Sequence, residues 1–134
     1  MWNPPNPRTY NATVWLIVKQ IPAGCVSTYG QIASMIPVPD GSDPEQYHRL
    51  GARWVGSAMR AVRDPEVPWQ RVINSQGKIS LPAGSSGARQ QRQRLEAEGI
   101  EFDEKERVDL KQCGWDGPDD AWLDAHDLMP PKLF

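Results

Sequence analysis

Apolar residues in this chain recur at helical spacing, in runs that proline and glycine close after a few turns. Between Asn11 and Ile21 the residues Val14, Ile17, Val18 and Ile21 share one helix face, and Pro22 and Gly24 end the segment. Ser27 and Thr28 offer N-caps to a second, shorter helix, and Thr28 with Gln31 fits a capping box ahead of Ile32, Ala33, Met35 and Ile36. Residues 37–46, rich in Pro, Asp, Gly and Ser, read as a loop. Leu50, Val55, Ala58, Met59 and Val62 then resume the pattern, so a third helix is predicted from about Leu50 to Val62. The 13 prolines in 134 residues are about twice the usual share and predict numerous loops.

The pattern changes at Val67. Arg71-Val72-Ile73 and Lys78-Ile79-Ser80 flank Asn74-Ser75-Gln76-Gly77, which predicts a short hairpin or paired extended segments around a turn. Residues 81–87 read as a loop, and Ala88 to Glu98 as a polar helix with Leu95 inward and Gly99 capping its end. Beyond Leu110 the chain is acidic and Pro-rich, yet it holds Trp115, Trp122 and Leu123. Two fates are open to this tail: disorder, or docking of those apolar groups on the domain.

A chain of this length suits one domain with a modest core. Residues 1–10 lack the basic start and apolar run of a signal peptide, and no stretch reaches the roughly 18 apolar residues of a membrane helix, so an intracellular protein without membrane association is expected. Two cysteines, Cys25 and Cys113, cannot form a disulfide framework, and with His48 and His126 they lack zinc-ligand spacing. Neither a metal nor another cofactor is expected.

The net charge of -2 conceals a division. Residues 1–94 carry 11 Lys/Arg against 5 Asp/Glu, whereas residues 95–134 carry 4 against 12. A basic body of net +6 can supply the sequence-independent attraction to phosphate on which DNA affinity rests, although a solvated surface would show the same balance. Two short helices joined by a loop, with Arg49, Arg53, Arg60 and Arg63 at the second and a β element following, resemble a winged helix-turn-helix.

Four segments carry a more specific signal: VSTYGQIA (26–33), GARWVGSAMR (51–60), VPWQRVINSQGKIS (67–80) and RLEAEGIEF (94–102). Their order and spacing resemble the O6-alkylguanine-DNA alkyltransferase family over residues 11–103. That family's DNA-binding domain has an S-Y or T-Y pair opening one helix, an A-R-x-V-G-x-A-M helix, and a Pro-Cys-His-Arg-Val active-site motif. The resemblance implies a mainly α, winged helix-turn-helix DNA-binding domain with a small β element over 11–103, followed by an acidic C-terminal extension, 104–134.

The chain departs from the enzymes at the active-site motif, where Pro68-Trp69-Gln70-Arg71-Val72 puts Trp in place of the nucleophilic Cys. Displacement at an alkyl carbon needs a strong nucleophile, and an indole N–H is a donor with no lone pair suited to attack. Gln70 also replaces the family's His, so the proton relay is broken although Glu98 matches the family's Glu. The pattern looks like the alkyltransferase-like branch, which binds alkylated guanine in DNA and hands it to nucleotide excision repair without being an enzyme.

By the same resemblance, Arg53 matches the arginine finger that fills the gap left by a flipped nucleotide, and Tyr29 the tyrosine that crowds the phosphate 3' of it. Arg60 matches a phosphate contact. Thr28 stands beside Tyr29, and Ala52 and Gly56 are small enough to let backbone approach DNA. Trp69 and Ser75 join Tyr29 around the flipped base. Arg71 is expected to brace the fold, and the loop position at which some relatives carry an Arg is Pro82 here by ungapped spacing. The implied partners are double-stranded DNA containing O6-alkylguanine and nucleotide excision repair proteins. A monomer acting with DNA is expected, in the cytoplasm of a bacterium or the nucleus of a eukaryote.

Three other readings compete. A self-inactivating alkyltransferase would use Cys25 or Cys113, but neither has the Pro and His neighbours that organise a thiolate. A sequence-specific winged-helix regulator would read base edges with Asn, Gln or Arg, whereas the third helix surrounds Arg53 with small residues. An N-glycosylase would need Glu98 as its base.

Overall fold

The computed structural model describes residues 3–134. Its first helix, α1 (Pro7–Val18), begins four residues before the apolar pattern does, because Asn6 caps it by accepting from the Thr9 N–H and Pro7 occupies the first turn. A proline there loses no hydrogen bond and brings a helical φ ready-made. After a turn come β1 (Ser27–Thr28) and α2 (Tyr29–Ser34). The third helix, α3 (Pro44–Arg60), starts six residues earlier than its apolar pattern suggests, again through an Asx-Pro pair in which Asp43 is the cap. Prolines thus start two of the three helices that build the core, one of them, Pro44, within the segment read as a loop.

Half of the predicted capping box is present. The Thr28 hydroxyl accepts from the Gln31 N–H at 3.1 Å. The reciprocal half is absent, because the Gln31 side chain turns inward. Its Oε1 accepts from Ser27 Oγ at 2.6 Å, and its Nε2 donates to the carbonyls of Trp115 (2.6 Å) and Lys132 (3.1 Å).

α1, α2 and α3 enclose the main core of Val14, Ile17, Val18, Ile32, Met35, Val55 and Ala58. One end is closed by an aromatic group in which Trp54 meets Tyr10 and Tyr47 edge-to-face, at centroid distances of 5.7 and 5.1 Å. Truncating a buried aromatic of this kind costs about 3–5 kcal/mol. A 3-10 turn (Trp69–Arg71) leads into β2 (Val72–Ile73), which lies parallel to β1 with Ser27 opposite Val72.

This pairing corrects the hairpin expectation, since Lys78–Ser80 does not run back along β2. The Asn74 side chain accepts from the Gln76 and Lys78 N–H groups, so the turn satisfies itself locally. The carbonyl of Gly77 accepts instead from Val108 N at 2.9 Å. Gly77 has a φ of +79°, and a side chain there would run into the Val108 backbone.

α4 (Ser86–Ala97) is capped by Ser85 and ends at Gly99, φ +90°. It lays Leu95 on a second, smaller core with Val26, Ile73, Ile100 and Val108. α5 (Leu110–Cys113) and α6 (Asp120–Ala125) follow. The tail docks: Trp115 and Leu123 are buried, and Gly114 bridges to Val26 in parallel register. The whole is mainly α with a small β element, as the sequence reading expected, although its two strands pair in parallel, and α2 and α3 form the helix-turn-helix. Among the described residues no helix is long and apolar enough to cross a membrane, and no group of His, Cys, Asp or Glu is arranged to hold a metal.

Candidate nucleic-acid interface

α3 is amphipathic in a way that fixes what it can present. Gly51, Trp54, Val55 and Ala58 face the core, which leaves Ala52, Arg53, Ser57 and Arg60 exposed on the opposite side. Arg53 enters no ion pair among the described residues. Arg60 donates to the Ser57 hydroxyl at 3.1 Å. Arg63 donates to the Val62 and Arg60 carbonyls and so closes the helix end.

Beside this face lies a cavity of about 280 Å³, near the lower limit of small-molecule sites at roughly 300–1,000 Å³. α2 contributes Tyr29; α3 contributes Gly56, Met59 and Arg60; the 3-10 turn contributes Trp69; the loop after β2 contributes Ser80, Leu81 and Pro82. The Tyr29 hydroxyl and Ser80 Oγ are 2.7 Å apart. Trp69 is half-buried, and the Arg94 guanidinium stands 5.2 Å from its ring centroid, within cation–π range.

The residue after Trp69 turns away from this cavity. Gln70 is buried and its Nε2 donates to Glu98 Oε2 at 2.9 Å. The same carboxylate accepts from Arg71 Nε and Nη2 at 3.0 Å each, while Arg71 Nη1 donates to the Ile21 carbonyl at 2.7 Å. Burial disfavours the charged form of Glu98, yet hydrogen bonds from Arg71 and Gln70, the Arg71 charge and the Gly24 N–H together hold its carboxyl below the ordinary range. Glu98 therefore braces α4 against the turns at Ile21 and Gly24, and Arg71 braces the fold as expected. Gln91 reinforces the same corner by donating to the carbonyls of Gln70 and Val72.

Tyr29, Gly56, Arg60 and Trp69 are thus brought together, with Pro82 on the same cavity. Arg53 lies on the same helix, about one turn before Gly56. Thr28 is buried, with its hydroxyl on the α2 cap. Ala52 lines a neighbouring cavity. Ser75 is exposed in the turn after β2 and does not line the cavity; Ser80 stands opposite Tyr29 instead. Sequence reasoning missed Ser80, Met59 and Gln91. A polar residue near the end of an extended segment was the only available signal for Ser80.

Neither cysteine borders this cavity. Burial, followed by the nearby Asp109 and Cys25, raises the Cys113 thiol, the reverse of what activates a nucleophile. A larger cavity of about 540 Å³ is bordered by Glu101, Asp103 and Asp109 against Arg107 and Lys111, a net acidic lining that opposes phosphate.

The family model for the 6-O-methylguanine DNA methyltransferase, DNA binding domain, matches residues 9–100. A "DNA base-flipping protein" from Vibrio parahaemolyticus is 42% identical over 103 residues, which is 76% of this chain and 91% of that protein. "Alkyltransferase-like protein 1" from Schizosaccharomyces pombe is 44% identical over 90 residues, 66% of this chain and 74% of the relative. The crystal structure of S. pombe Atl1 with damaged DNA containing O6-carboxymethylguanine superposes with a TM-score of 0.61 at 36% identity, covering 81% of this chain and 95% of that one. With a helix-turn-helix, a Trp-lined cavity and a tryptophan in the nucleophile's place, the chain belongs to the alkyltransferase-like branch of the 6-O-methylguanine DNA methyltransferase DNA-binding family.

Proposed function

We propose that this protein recognises O6-alkylguanine in duplex DNA by rotating the nucleotide out of the helix and holding it in the Tyr29–Trp69 cavity, without removing the alkyl group. The observation that carries this reading is Trp69 itself, which lines the cavity and stands at the motif position of the enzymes' cysteine. An indole face buries an alkyl group of varying size and offers it no nucleophile.

The remaining roles follow from position. Arg53, exposed and without an ion pair among the described residues, enters the duplex and stacks in the gap, which offsets the few kcal/mol that unstacking costs. Tyr29 crowds the phosphate beside the rotating nucleotide. Arg60 neutralises backbone charge, and the small Ala52 and Gly56 allow α3 to approach the minor groove. Ser75, exposed in its turn, serves the backbone near the flipped base. Thr28 acts through the α2 cap that sets Tyr29. The protein works on DNA as a monomer, and the marked lesion passes to nucleotide excision repair proteins.

One duplex, carrying either guanine or O6-methylguanine at the same position, tests the proposal. Tighter binding of the alkylated duplex, with no methyl gained by the protein in mass spectrometry, is the expected result. Equal affinity for both, or a methyl adduct on the protein, overturns it.

A further inference from the structure

The segment after Cys113 runs back across the helix-turn-helix and is fixed there through its main chain. Gln31 Nε2 donates to the Trp115 and Lys132 carbonyls. Lys132 N donates to Ser34 Oγ at 3.0 Å, and Met129 N to the Met35 carbonyl at 2.8 Å. These bonds seat the strap on α2 at Met129 and at Lys132 itself, through main-chain atoms that leave the lysine side chain uncommitted.

That side chain lies over Gly30. A Cβ added there would sit 3.2 Å from the Lys132 ammonium. The ammonium shares a cavity of about 300 Å³ with Gly30, His48, Gly51 and Ala52, so it sits between α2 and α3. Lys132 forms no ion pair among the described residues. It is also the sole Lys or Arg after Lys111, in a stretch that carries five aspartates. A lone cation in an acidic segment is thus carried to the helix-turn-helix groove, and no carboxylate there pairs with it.

Its neighbour Ala52 is one helical turn from Gly56, about 6 Å along α3. Ala52 precedes Arg53 on α3 and Gly56 lines the Tyr29–Trp69 cavity, so the Lys132 groove borders the helix that carries Arg53 and Arg60.

We propose that Lys132 is a further phosphate-contacting residue, delivered by the C-terminal strap to the groove between α2 and α3, where it adds affinity for DNA without adding preference for the lesion. The proposal rests on the reading of α2 and α3 as the DNA-binding face. A flexible ammonium acts on phosphate as a point charge, and phosphate contacts carry no information about the base.

The test uses the whole chain and its Lys132→Gln and Lys132→Arg variants, with anisotropy titrations of plain and O6-methylguanine duplexes between about 0.05 and 0.2 M salt. Loss of one phosphate contact lowers the salt slope by about 0.9, which is about 8-fold in affinity at about 0.1 M salt. Lys132→Gln is expected to show that loss equally on both duplexes, and Lys132→Arg to restore it. The strap is held by main-chain atoms of Lys132, so melting temperatures of both variants should match the parent. An unchanged slope, a loss confined to the alkylated duplex, or a loss matched by an equal fall in the Arg variant overturns the proposal. A parent chain with no lesion preference defeats the lesion reading alone, because the plain duplex still reports on Lys132.

Discussion

Tyr29 and Ser80 face each other across the cavity with their hydroxyl oxygens 2.7 Å apart. One is the first residue of α2 and the other lies in the loop after β2, so a single hydrogen bond joins the helix-turn-helix to the far wall of the site. A bond of this kind contributes about 0.5–1.5 kcal/mol net, less than the few kcal/mol at stake in nucleotide rotation. It holds the loop in place against α2.

Tyr29→Phe therefore keeps the ring and loses the tether. Affinity for O6-methylguanine duplex should fall by about 1 kcal/mol or less, whereas Tyr29→Ala, which removes the ring as well, should cost more. Equal losses in the two variants, measured by anisotropy at one salt concentration, would assign the whole effect to the hydroxyl.

Arg53→Ala should lower lesion-duplex affinity by about 1–3 kcal/mol, the range of a stacking or multidentate contact. Its side chain supports nothing in the fold among the described ion pairs, so the melting temperature should not move. A dissociation constant equal to the parent's counts against the finger role.

Trp69→Cys should not become a methyltransferase. Its neighbour Gln70 is pinned to Glu98 at 2.9 Å and points away from the cavity, so a thiol at position 69 has no adjacent base to take its proton. Intact-protein mass spectrometry after incubation with methylated duplex checks this, and a gain of one methyl group contradicts it.

Glu98→Gln should destabilise the fold at neutral pH by about 1.5–3 kcal/mol, the range for hydrogen bonds to a charged group. The carboxyl's folded pKa lies below its unfolded value of about 4.3, so its contribution is complete above that pH and fades as pH falls through the folded value. The gap between parent and variant in urea unfolding should thus be widest near pH 7 and narrow in acid. A gap independent of pH would mean that shape, not charge, is what position 98 supplies.

Much of the site was legible because its residues sit at helix starts and on exposed helix faces, where local patterns fix geometry. Thr28 capping α2 follows from the T-x-x-Q spacing, and the exposure of Arg53 from the apolar positions Val55 and Ala58 around it. Contacts made across the chain were not legible. Lys78–Ser80 has the composition of a returning strand, yet β2 takes Ser27–Thr28 as its neighbour, and nothing local to residues 71–80 encodes a partner some 45 residues earlier. Ser80 was missed for the same reason, since its role depends on a residue 51 positions away. Asp43-Pro44 was misread as loop differently, and Asn6-Pro7 was not read as a helix start: proline opposes a helix interior but favours its first turn, and composition does not distinguish the two.

Gln31 finds its acceptors 84 and 101 positions further along the chain. At about 5–20 residues per second, a ribosome exposes α2 roughly five to twenty seconds before the strap that completes it. Until then the Gln31 Nε2 lacks both of these acceptors, and each such bond contributes about 0.5–1.5 kcal/mol net. The last hydrogen bonds of this head thus form only once residues 115–132 have been made.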